Sequence, residues 1–171
     1  MADYSVCIHE AGHAVAASLL DVADWHAITV NPSGDGSLGR MLRDKSEHLK
    51  LALRTDDDLD ANWAASAWAI TALAGPVAEA RWITGEYAER IHIGRLEDFG
   101  GAHDLGGARA VAEAWDISIQ NLLNHAINLV HHDPAWLAIQ RVADALAERR
   151  TLMAFDVDKL VGKKARGPGQ W

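Results

Sequence analysis

His9-Glu10-Ala11-Gly12-His13 has the form H-E-x-x-H. On a helix, residues four apart share a face, so both imidazoles reach one ion. Zinc accepts neutral imidazole nitrogen, and a catalytic zinc site uses three protein ligands and keeps one position for water. Glu10, next to His9, is then placed to act on that water as general base. With 9 His in 171 residues, only about 0.02 matches to this pattern are expected at random. The third ligand is not local. The extended form H-E-x-x-H-x-x-G-x-x-H needs Gly at Ala16 and His at Leu19, and no Glu lies between His13 and Glu47, so the ligand must come from further along the chain.

The elements that must position these residues are mainly helical. Alanine occurs thirty-one times, and it is the best helix former, which predicts a mainly α domain with a small β element. The first helix is expected from about Tyr4 to Leu20, where Val6, His9, Glu10, His13, Ala16, Ala17 and Leu20 recur at three- and four-residue steps. Trp25 to Val30 reads as a strand, Asn31 to Gly36 as a turn-rich loop and Leu38 to Leu42 as a second strand, together a hairpin or small sheet. Asp56-Asp57-Asp58 supplies negative charge ahead of a helix.

From Ala61 to Ala78 there are eighteen uncharged residues, long enough to raise the question of a membrane span. The stretch is mostly Ala, interrupted by Asn62, Ser66, Thr71, Gly75 and Pro76, which reads as a buried, small-faced core helix. Thr84 to Gly101 is irregular and glycine-punctuated, a loop of functional length. Helices are expected again at about Asp104 to Trp115 and Ile117 to His131, and from Pro134 with Trp136, Ile139, Val142, Ala143 and Leu146 on one face. A last short helix is expected after Asp156. Residues 1–161 form the domain, and the basic, glycine-rich 162–171 is expected to be a disordered tail.

The net charge of −8, with no basic stripe, argues against nucleic acid or an anionic membrane surface as partner. Cys7 is the sole cysteine, so no internal disulfide forms, and a reducing, cytoplasmic setting is expected. Met1-Ala2-Asp3-Tyr4 lacks the features of a signal peptide. His131-His132-Asp133 reads as a helix end complementing its dipole, the seven Trp as core and interface residues, and Cys7 as a small apolar group. No G-x-x-x-x-G-K-[ST] occurs, which excludes ATP hydrolysis by that route.

At several places the chain resembles the zinc peptidase domain of the membrane-bound AAA proteases of the bacterial FtsH type. His9-Glu10-Ala11-Gly12-His13-Ala14 matches the family's zinc-helix motif. Ile28-Thr29-Val30-Asn31-Pro32 and Ser37-Leu38-Gly39-Arg40 are similar to its strand, loop and active-site edge strand. Leu73-Ala74-Gly75-Pro76-Val77-Ala78-Glu79 is similar to a family helix, and Ala102-His103-Asp104-Leu105 to the stretch holding the family's third zinc ligand. The resemblance spans about Tyr4 to Val161. It implies an FtsH-type peptidase-like fold, with the site between the zinc helix, the edge strand and the start of the Asp104 helix.

The resemblance also implies His9, His13 and Asp104 as zinc ligands and Glu10 as catalytic base. Two departures bear on this. Pro76 replaces the family's usual arginine, and His103 stands beside Asp104, where a small polar residue is usual. His103 therefore competes with Asp104 as third ligand, as does His92; Glu79, a carboxylate on a helix beside the site, is another candidate and could instead orient a ligand histidine, and Asp104 could also cap its own helix. The expected function is a soluble zinc metallopeptidase that hydrolyses unfolded or extended polypeptides without ATP, the substrate pairing with the chain near Leu38 and Gly39. Alternatives are an idle zinc-binding interaction module, a partner of a separate ATPase or unfoldase, and a hydrolase of non-peptide amides. Self-assembly into a homo-oligomer is a further expectation.

Overall fold

The computed structural model describes residues 3–22, 25–32, 39–43, 58–85 and 93–163. Helix α1 (Tyr4–Leu19) starts where the Asp3 carboxylate accepts the Ser5 N–H, a side-chain cap for one of the amides a first turn leaves unpaired. Every residue from Cys7 to Ser18 is buried. A helix enclosed on all sides belongs to the centre of a fold, so its two histidines face protein rather than bulk water.

Helix α2 (Asp58–Thr84) packs along α1. Its 27 residues span about 40 Å at the usual helical rise. Small side chains, Ala67, Ala74 and Ala78 among them, let the two backbones approach closely. At the crossing, a Cβ added to Gly12 would lie 2.6 Å from the Ala74 carbonyl oxygen, and one added to Gly75 would overlap the His13 ring. The uncharged stretch from Ala61 is the body of this helix, and it continues past Pro76. Proline has no N–H for the carbonyl four residues back, that of Ala72, yet the surrounding packing holds the helix on course. Among the described residues no helix is long and apolar enough to cross a membrane.

Strands β1 (Trp25–Thr29) and β2 (Arg40–Arg43) pair antiparallel, with Ala27 opposite Leu42, Ile28 opposite Met41 and Thr29 opposite Arg40. A third strand, β3 (Thr151–Met153), pairs with the other side of β1, giving the order β2-β1-β3. Sequence reading expected no strand here. Three residues are too few to show a two-residue period, and their partner lies at the opposite end of the chain. Ile28 and Leu152, opposite one another, are fully buried and mark the core side of the sheet.

A 3-10 helix (Ile93–Phe99) occupies part of the segment expected to be a loop. Helix α3 (Ala102–Ala114) follows; Gly101 is its N-cap, so Asp104 lies inside the first turn and is not the cap. Helix α4 (Ile119–His131) is capped by Ser118, whose Oγ accepts the Asn121 N–H. Helix α5 (Asp133–Arg149) carries Pro134 in its first turn, where the missing N–H costs nothing. Helix α6 (Ala154–Val161) starts two residues before Asp156, whose carboxylate accepts the Met153 N–H.

This last helix braces the end of α1. Ser18 Oγ donates to Asp158 at 2.6 Å, while Lys163 Nζ donates to the Ser18 carbonyl and pairs with Asp21 at 2.6 Å. Gly162 and Lys163, read from sequence as tail, are thus tied to the fold, and residues 164–171 lie outside the described residues. The tryptophans divide: Trp25 is buried, whereas Trp63 and Trp82 are exposed, Trp82 resting on Tyr4.

Candidate metal centre

One turn of α1 separates His9 from His13, and their rings meet edge to face with centroids 4.9 Å apart. Asp104, in the first turn of α3, brings Oδ2 to 3.2 Å from His9 Nε2 and 3.5 Å from His13 Nε2. Ligands held at about 2.0–2.2 Å around a tetrahedral ion stand roughly 3.3–3.6 Å from one another, and both Asp104 distances are close to that range. Candidate ligand atoms of the three residues lie within 4.8 Å of one another, and no other such trio occurs among the described residues. This group could hold a metal ion. His9 and His13 are buried and Asp104 is half-buried.

The remaining ring nitrogens are engaged by α2. His9 Nδ1–H donates to Glu79 Oε2 at 2.8 Å, and His13 Nδ1–H donates to the Thr71 carbonyl at 2.8 Å. Partners of this kind fix the ring orientation and leave Nε2 available to a metal ion. Thr71, Gly75 and Glu79 recur every four residues, so they line one face of α2. That face meets the histidine face of α1: the two outer residues hold a ring each, and Gly75 leaves room for the His13 imidazole.

Glu79 therefore sits on the Nδ1 side of His9, outside the candidate trio and in a position to orient the ring. His103 is exposed and also outside the trio. His92 and Leu38 lie outside the described residues. Sequence reading missed the roles of Thr71 and Gly75. A backbone carbonyl leaves no trace in residue type, but the four-residue spacing shared by Thr71, Gly75, Glu79 and by His9, His13 is a signal that two faces belong together.

Glu10 is buried, and its Oε2 has no hydrogen-bond partner among the described residues. Its other oxygen faces Gly39: a Cβ there would lie 2.6 Å from both Glu10 Cγ and Oε1, so only glycine admits the Glu10 carboxyl at this distance. Burial pushes the Glu10 carboxyl above its usual range, with the neighbouring His13 and His9 opposing. An acceptor that is buried and unpartnered among the described residues, beside two histidines and an aspartate, belongs to a donor set that could hold a metal ion.

Burial alone would lower the pKa of His9, but hydrogen bonds to Asp104 and Glu79 and the charge of Glu10 outweigh it and hold the imidazole up to about 10. Asp104 moves the opposite way: burial would raise it, and the charge and hydrogen bonds of His13 and His9 hold it well below the usual carboxylate range. Without metal, a proton on His9 occupies the place a cation would take. Its contribution to stability is full below the ordinary pKa of 6.5 and is lost as pH rises through about 10. Melting temperatures of metal-free protein should fall over that interval, and the gap to zinc-loaded protein should widen, because the metal replaces the proton. Thermal melts of both forms across this range check it, and a constant gap contradicts it.

Compared with models of known protein families and with curated proteins, the chain matches none.

Proposed function

We propose that the chain is a zinc metallopeptidase, of the kind the sequence resemblance implies, acting on unfolded or extended polypeptides. The observation that supports this best is the convergence of His9 Nε2, His13 Nε2 and Asp104 Oδ2 beside the unpartnered Oε2 of Glu10. Bound at the three ligands, zinc would supply Lewis acidity, acidifying water and polarising a scissile carbonyl. Glu10 takes the proton of the attacking water on its carboxylate and delivers it to the leaving amine. Its raised pKa suits this, since a base that must hold and return a proton works best nearer the working pH. Glu79 and Thr71 hold the two rings still throughout.

An extended substrate would run beside β2, the outer strand of the described sheet, which follows directly on Gly39 and hence on the base. Main-chain pairing of this kind requires an already unfolded segment. A folded domain is held by about 5–15 kcal/mol, more than binding to a short strand provides. The test is digestion of casein and of a stable folded protein by zinc-loaded enzyme without ATP. Casein should be cleaved, the folded control spared, and a chelator should stop the reaction; chelator-insensitive cleavage, or intact casein, overturns the proposal.

A further inference from the structure

Arg40 is an exposed cation at the start of β2; its backbone is laddered with Thr29, and among the described residues its side chain has no hydrogen-bond or ion-pair partner. Other arginines near the site are placed differently: Arg95 lies by Asp98 at 3.6 Å and Arg109 by Glu97 at 4.0 Å. Alternation along the strand decides where Arg40 points. The side-chain direction of Gly39 is toward Glu10, and Met41 packs on the core opposite buried Ile28. Arg40 and Leu42 therefore share the opposite, outer face, and both are exposed there. Consecutive Cα atoms are about 3.8 Å apart, so Arg40 stands one residue from the point where the chain touches the base.

We infer that Arg40 is a specificity-determining residue that selects an acidic side chain close to the scissile bond of an extended peptide, with an apolar side chain two residues along beside Leu42. The inference rests on the peptidase reading and names its substrate class. A peptide beside β2 places every second side chain on the outer face, next to Arg40 and Leu42, and such cross-strand neighbours favour opposite charge and apolar pairs.

The experiment uses short peptides that are identical except for one Glu, Gln or Lys, moved one position at a time. Binding is read by fluorescence anisotropy on zinc-loaded Glu10→Gln protein, and kcat/KM on zinc-loaded wild type. At one position Glu should be preferred to Lys about fivefold in both. Arg40→Gln should erase the preference and Arg40→Glu should reverse it, with zinc content unchanged. A preference that survives Arg40→Glu, or its absence in wild type, overturns the inference. Charge-selective binding without cleavage keeps Arg40 as the residue that selects an acidic side chain in a bound extended peptide but removes the peptidase reading and, with it, the placement at a scissile bond; cleavage without charge selection removes the role of Arg40 and keeps the peptidase reading; neither binding nor cleavage removes both.

Discussion

Glu10→Gln protein, loaded with zinc, should cleave casein at least a hundredfold more slowly than wild type while keeping its metal and its melting temperature. A positioned general base contributes about 10²–10⁴ in rate, and glutamine keeps the shape of glutamate without its basicity. The structure gives a reason to expect no loss of stability. Glu10 is buried with one oxygen unpartnered, and burial raises its pKa, so the carboxylate is the disfavoured form of this side chain in the fold. An amide removes that charge. Steady-state kinetics, zinc analysis and thermal melts on the same preparation decide the matter. Full turnover by the variant would place the base elsewhere.

Gly75→Ala should lower zinc affinity roughly ten- to a hundredfold, the range seen when the partners that orient metal ligands are lost. Alanine is the better helix former, by about 1 kcal/mol, so propensity alone predicts a more stable protein. Sterics oppose this and win. The new methyl group would overlap the His13 ring, and α2 cannot simply retreat, because His13 is also bonded to Thr71 on the same face. Overpacking of this kind costs about 1–3 kcal/mol. Competition with a chromophoric chelator measures the affinity, and a melt measures the stability. A stabilised protein with unaltered affinity would show that His13 is not held as described.

The contrast between Glu10 and Asp104 shows what the sequence could disclose. Glu10 was legible because H-E-x-x-H is local: a helix alone brings its parts to one face. Asp104 was not legible from spacing, since nothing between α1 and α3 tells which distant carboxylate returns to the histidines; only the resemblance carried by Ala102 to Leu105 singled it out. The structure places it with His9 and His13 and moves Glu79 to the orienting side. Thr71 contributes a backbone carbonyl, which any residue type would offer. The mainly helical character and the strand at Trp25 followed from composition and pattern. β3 did not, because its three residues are set by pairing across the fold with Ala27 to Thr29. The Ala-rich stretch was read as one helix through Pro76, a residue that ordinarily stops a helix and here does not, while its continuation to Thr84 was not read.

The central claim is that His9, His13 and Asp104 hold one metal ion. Zinc per chain, determined by elemental analysis of purified wild type and of His13→Ala after both have been exposed to zinc and desalted, tests it most directly. About one zinc per wild-type chain and little in the variant is expected, since two remaining ligands make a poor site. Equal zinc in the two proteins, or none in either, would contradict the account.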